Sequence, residues 1–218
     1  MGERGSAALA CVGRGAEPAG YKDSFRTLKW AASAGNGDDP WLSRHGDLRR
    51  VFLTSDNTGG NIVHNVAMMA TACASSEPRI KGAVLLHTGF RGSELIDGEA
   101  PTSMAMMEKL WAIVCLGATD SMDDTWVNPL AIMALSLWDL LCERVLVCAA
   151  ELDSLLPRDK AYYEAIKASG WFESKGQDHV FFLFKLVYDV AVALMDRLAM
   201  FFLGKWNSSC VRCGERLR

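Results

Sequence analysis

The segment VFLTSDNTGGNIVHNVAMMA, residues 51–70, constrains the fold more than any other part of the chain. VFLT is a short β-prone run, SDNTGG gathers turn formers, and from about Gly59 to Ala74 apolar residues recur at helical spacing. A strand passing through a tight turn directly into a helix is the first half of a βαβ unit. Two further runs, Ile80–Leu86 (IKGAVLL) and Arg144–Ala150 (RVLVCAA), are nearly continuous in apolar residues. Strands covered on both faces read in this way, because neither side alternates with water. Helical patterns fall around them. Ser24–Ala31 carries Phe25, Leu28 and Trp30 and is stopped by NGDDP; others span 102–116, 130–141, 157–169 with Pro157 in the first turn, and 186–203. Short apolar strands alternating with longer helices predict the α/β class, a parallel sheet with helices on both faces. No repeat or linker divides the chain, so one domain is expected over 21–204, between a disordered leader, 1–20, and a disordered tail, 205–218.

Composition excludes several classes of partner. The net charge is −3 over 218 residues, and the one basic excess sits in the tail at Arg212, Arg216 and Arg218, so nucleic acid is not expected. The apolar stretch VFFLFKLVYDVAVALMDRLAMFFL is interrupted by Lys185, Asp189, Asp196 and Arg197, which predicts an amphipathic helix on a core and no membrane span. Seven cysteines at irregular spacing predict reduced thiols. Cys210 and Cys213 form a C-x-x-C pair with no second pair or nearby His, so neither a metal nor a cofactor is expected. The N-terminus lacks the apolar core of a signal peptide, which predicts a cytoplasmic or nuclear location.

The strand–turn–helix at 51–70 has the layout of a nucleophile elbow, a turn that lifts one side chain above a parallel sheet. Its tip is Asn57. Blocks in register along the chain resemble the plant carboxylesterase family of α/β hydrolases, the group that includes the gibberellin receptors and 2-hydroxyisoflavanone dehydratase-like proteins. The blocks are YKDSFRTLKWAAS, DPWLSRHGDLRRVFLTSD, GGNIVHNVAM, IKGAVLLH, MMEKLWAIVC, NPLA, ERVLVCAAELD, AYYEAIKASGW and GQDHVFFLF. The resemblance implies a partial α/β-hydrolase fold and ester hydrolysis by a Ser-Asp-His mechanism. Its Ala-Glu-x-Asp block places the acid at Asp153, and its Gly-x-Asp-His-x-Phe block places the base at His179. In such a mechanism the His takes the hydroxyl proton, the Asp orients and balances the imidazole, and backbone N–H groups hold the oxyanion.

The chain departs from that pattern at the nucleophile. The family elbow reads Gly-Asp-Ser-x-Gly-Gly-Asn, whereas this chain reads Ser55, Asp56, Asn57, Thr58, Gly59, Gly60, Asn61. Asn tolerates the positive φ an elbow demands, so the turn should persist without a hydroxyl. A carboxamide is a poor nucleophile, and Ser55 and Thr58 leave the turn in other directions. The family's N-terminal strands and His-Gly-Gly-Gly loop are missing from the sequence, which leaves the Thr58 N–H as the expected oxyanion donor. Losing one donor costs ~10²–10³ in rate. The strand expected between Trp171 and His179 reads as deleted, which would leave three strands, expose 144–150 as an edge and keep His179 from the site. These residues predict a truncated, catalytically degenerate hydrolase; the alternative is a non-catalytic small-molecule binding or receptor-like protein. Expected partners are a small acyl ester or hormone-like ligand, and self-association through exposed sheet edges. The remaining candidates read first as structural: His64 and Asn65 as helix packing or helix surface, His87 as the end of a strand with lining of the pocket mouth as the alternative, His45 as an exposed loop residue, and Met104, Met106 and Met107 as cap-helix packing with a soft substrate-facing surface as the alternative.

Overall fold

The computed structural model describes residues 19–33, 39–72, 79–102, 109, 123–137, 140, 142–166 and 170–205. Helix α1 (Ala19–Ser33) is followed by the short α2 (Pro40–His45), strand β1 (Val51–Asp56) and helix α3 (Asn57–Ala72). Then come β2 (Ile80–Leu86), β3 (Val145–Ala150), α4 (Leu156–Ile166), β4 (Gly170–Ser174), α5 (Phe181–Phe184) and α6 (Asp189–Phe202). Asp39, the last residue before Pro40 in NGDDP, caps α2, its carboxylate accepting from the N–H groups of Trp41 and Leu42 at 2.9 and 2.8 Å.

The four described strands form one parallel sheet in the order β1-β2-β3-β4. Phe52 pairs with Gly82, Ala83 with Val145, and Leu146 with Gly170. The period-2 alternation of a strand sorts the sheet's side chains into two cores. Val84, Leu86, Leu146 and Cys148 face Phe181, Leu194 and Phe201 of α5 and α6. Ala83, Leu85, Val145 and Val147 face Val63 of α3 and Tyr162 of α4. Helix α1 lays Tyr21, Phe25 and Leu28 on Ile62 and Val66 of α3, where the Tyr21 hydroxyl donates to Asn61 Oδ1 at 2.6 Å. Among the described residues, no helix is long and apolar enough to cross a membrane.

Three expectations need correction. The segment after Trp171 is not a deletion: Gly170–Ser174 is itself the fourth strand, paired along β3, so β1 and β4 are the edges and 144–150 is internal. Its alternating, half-exposed composition with Glu173 is that of an edge strand, not of a continuous apolar run. The expected helix over 130–141 is absent from 130–137, which run as turns and bends. At its start Asn128 Oδ1 accepts the Leu130 N–H at 3.1 Å, a local side-chain bond of the kind that competes with a helix. His45 is exposed, but it ends α2 instead of lying in a loop. Most of the helix expected over 102–116, the three methionines, the C-x-x-C pair, the leader up to residue 18 and the tail from 206 lie outside the described residues.

Candidate active site

The site lies at the carboxyl ends of the parallel strands, where turns leave the sheet. Strand β1 ends in a turn whose tip, Asn57, has φ of 48°, the left-handed geometry that a short polar side chain tolerates. Helix α3 starts at that residue, so the Thr58 N–H belongs to a first turn whose donors have no acceptor within the helix. Gly60 lets this turn press on its neighbour: a Cβ there would sit 2.9 Å from Thr88 Oγ1. The Gly89 N–H donates to the Asn57 carbonyl at 3.0 Å, and a Cβ at Gly89 would meet Asn57 Oδ1 at 3.4 Å, ordinary van der Waals contact.

Strand β3 ends in the turn that carries Asp153. The Asp153 carboxylate is buried, accepts the Leu155 N–H at 3.0 Å through Oδ1, and faces His179 Nδ1 at 2.7 Å through Oδ2. Burial alone would raise its pKa, but the His179 hydrogen bond, the Leu155 N–H and the two nearby imidazoles hold it below the usual carboxylate value. Nδ1 of His179 must donate to an ionised carboxylate, so the tautomer leaves Nε2 as a free base lone pair. His179 is about one third exposed and therefore reaches solvent. The expectation that it could not reach the site is corrected: β4 brings the chain back alongside β3, and the following turn lays the imidazole on Asp153.

A second imidazole belongs to the site, which sequence reasoning had set aside as structural. His87 follows β2 with φ of 48° and is fully buried; its Nδ1 accepts the Val180 N–H at 2.8 Å. Burial pushes its pKa down to about 4, against the pull of Asp153 and with a push from His179. Nδ1 also lies 3.5 Å from Asp153 Oδ2, yet a neutral ring that accepts at Nδ1 is no ionic partner for a carboxylate. The only signal in the sequence was a His at a strand's carboxyl end, and its contact lies 93 residues away. Beneath it, Asp159 is completely buried; burial raises its pKa well above the ordinary value although Oδ1 accepts the Thr88 N–H at 3.0 Å.

His87, Asp153 and His179 bring ligand atoms within 4.8 Å of one another, a His₂-carboxylate set of the type that holds divalent metals. Within the cluster, Nδ1 of His87 accepts from Val180 and Nδ1 of His179 lies against Asp153, so the three side chains and the Val180 N–H form one hydrogen-bonded group. His64 and Asn65 are packing residues: His64 Nδ1 lies 2.9 Å from the Tyr162 hydroxyl, and the Asn65 amide donates to the Trp126 carbonyl at 2.9 Å. A groove of about 440 Å³ runs along the outer edge of β1 to the elbow, with Leu28, Trp41, Phe52, Ser55, Gly59 and Val63 among its walls.

An elbow, an Asp after a later strand and a His in the last loop, in that order on a parallel sheet, is the order of an α/β hydrolase. The family described as having the alpha/beta hydrolase fold matches residues 16–183. The chain belongs to the α/β-hydrolase family. This hydrolase-fold chain is 37% identical over 196 residues to tuliposide A-converting enzyme b2 of Tulipa gesneriana, covering 86% of this chain and 51% of that protein. It is 34% identical over 202 residues to 2-hydroxyisoflavanone dehydratase of Glycine max, covering 85% of this chain and 63% of that protein. A Pyrobaculum calidifontis esterase shares the fold with a TM-score of 0.69 at 20% identity, over 88% of this chain and 62% of the esterase. The α/β hydrolase is thus of the carboxylesterase-like kind, and it spans about half the length of the tulip relatives it matches.

Proposed function

We propose that this carboxylesterase-like α/β hydrolase keeps the acid–base half of an ester-hydrolysing site and lacks its nucleophile. The observation that carries the reading is Asn57 at the tip of the elbow with φ of 48°, in a chain whose Asp153 and His179 stand 2.7 Å apart. With serine at the tip, His179 Nε2 would accept the hydroxyl proton, Asp153 would balance the imidazolium, and the Thr58 N–H would donate to the oxyanion. With Asn57 there is no hydroxyl proton to take, and the carboxamide nitrogen lone pair is delocalised into its carbonyl. No acyl-enzyme forms, and efficient turnover of carboxylic esters is lost. Ser55 belongs to β1 and lies two residues before the tip, so it does not take the place of the tip side chain. The test is covalent labelling with a fluorophosphonate, read by intact mass. The reading expects no adduct on the natural chain; an adduct mapped to Ser55, Thr58 or any other hydroxyl would overturn it.

The groove of about 440 Å³ favours a second reading, a binding role for a small acyl ester or hormone-like ligand. It is largely apolar and ends at the elbow, as an acyl-binding cleft would. Calorimetry with a medium-chain acyl ester should give saturable heat that Ser55→Trp abolishes by filling the groove. Heat unchanged by Ser55→Trp would remove this reading.

A further inference from the structure

We infer that the three-residue segment His87–Thr88–Gly89 is the frame that sets the geometry of the site, and that the Nδ1 acceptor of His87 is the positioning group for His179. The inference rests on the Asp153–His179 pair being the acid–base pair of the site.

Every limb of the site is tied to this segment by a separate hydrogen bond. The His87 N–H donates to the Cys148 carbonyl of β3 at 2.8 Å, which fixes the segment to the strand that leads to Asp153. The Thr88 N–H donates to Asp159 Oδ1 of α4 at 3.0 Å, in the helix that follows Asp153. The Gly89 N–H donates to the Asn57 carbonyl at 3.0 Å, which fixes it to the elbow. The fourth bond is made by a side chain: His87 Nδ1 accepts the N–H of Val180, the residue next to His179, at 2.8 Å.

That fourth bond sits where the backbone most needs support. Val180 has φ of 46°, a left-handed conformation that a β-branched residue avoids. Such a conformation persists only where its surroundings determine it. The His87 ring supplies both a hydrogen-bond acceptor and packing, lying 6.0 Å from the Phe181 ring in a stacked arrangement and 5.5 Å from the Phe182 ring edge-on. Burial keeps the ring neutral, with its proton on Nε2, which has no hydrogen-bond partner among the described residues. A buried, partnerless N–H has an energetic cost, and the tautomer that bears it is the one whose Nδ1 can accept from Val180. His87 is thus a positioning residue: it holds the strained turn so that the imidazole before it meets Asp153.

The experiment is proton and nitrogen NMR on the full chain, reading two signals that do not depend on turnover. One is the downfield Nδ1–H resonance of His179 hydrogen-bonded to Asp153; the other is the amide exchange rate of Val180. His87→Phe keeps the ring and its stacking but removes the acceptor. In a variant shown to be folded by near-UV circular dichroism, it should lose the Nδ1–H resonance and speed Val180 exchange by about tenfold or more, the loss of one hydrogen bond. His87→Asn, whose Oδ1 falls near the place of Nδ1, should restore both signals. Where His87→Phe does not fold, His87→Asn against His87→Gln decides, because only the first puts an acceptor at the Nδ1 position. Both signals unchanged in folded His87→Phe, or equal in Asn and Gln, would overturn the inference. Absence of the Nδ1–H resonance in the natural chain would instead remove the Asp153–His179 pair itself. An inert natural chain leaves the inference standing.

Discussion

His64 makes the acid stability of this protein calculable. Its imidazole is buried in the core between α3 and α4, against the Tyr162 hydroxyl, and burial drives its pKa from 6.5 to about 3. The folded value lies below the unfolded one, so the unfolded chain binds more protons between these two values. Stability is therefore full above about pH 6.5 and falls as pH drops through that window. At about pH 4.5 an unfolded imidazole is protonated by about a hundredfold over neutral while the folded one stays neutral. At about 1.4 kcal/mol per tenfold, that costs about 3 kcal/mol relative to pH 7.5. His87, with a folded pKa of about 4, adds a second loss of about 2 kcal/mol over the same interval. Together these match the lower end of the stability of a typical domain, about 5–15 kcal/mol. The assay is urea unfolding followed by far- and near-UV circular dichroism at both pH values, in the natural chain and in His64→Gln, whose amide can still meet Tyr162. Whatever the variant costs at neutral pH, its stability should fall by about 3 kcal/mol less on acidification. Equal falls in the two proteins would refute the reasoning, because His64 would then be no buried neutral imidazole.

Other perturbations follow from the same geometry. Asn57→Ala, at φ of 48°, should cost about 1 kcal/mol in urea unfolding, while Asn57→Gly stays within about 0.5 kcal/mol; equal costs would mean that the elbow is not held in the left-handed region. Glu99 accepts from Arg158 Nε and Nη2 at 2.8 Å each and from Arg91 Nη1 at 3.1 Å, with all three side chains buried. Glu99→Ala leaves two guanidinium groups without their carboxylate and should destabilise by about 3–5 kcal/mol; a thermal shift indistinguishable from the natural chain would contradict that. Gly60→Ala drives a methyl to 2.9 Å from Thr88 Oγ1, and it should lower the free energy of unfolding, read by urea titration, by about 1–3 kcal/mol unless Thr88 is also cut to Ala.

How much of this was legible in the sequence depended on where each residue faces. The runs 80–86 and 145–150 were readable because a parallel strand buried on both sides has no polar alternation to blur it, and 51–56, a half-buried edge, was readable from the turn and helix that follow it. GWFES was not, because an edge strand five residues long carries Glu173 and partly exposed rings, and nothing marks it apart from a loop. Residues 130–137 misled in the opposite direction: Leu130, Ile132, Met133 and Leu135 have the density of a buried helix, yet all four are exposed on a chain of turns. Asp153 and His179 could be named because each sits in a local block of residue types, whereas their contact needed β4 to be seen. His87 and Asp159 could not be assigned at all. Their partners, Val180 and Thr88, lie 93 and 71 residues away, and neither a buried neutral imidazole nor a buried carboxyl leaves a local pattern.

The central claim is that Asn57 leaves an assembled acid–base pair with nothing to activate. Hydrolysis of p-nitrophenyl butyrate by the purified natural chain, measured beside His179→Ala, tests it most directly. The account predicts equal rates for the two proteins, at the level of buffer. A rate in the natural chain that rises above buffer and disappears in His179→Ala would contradict it.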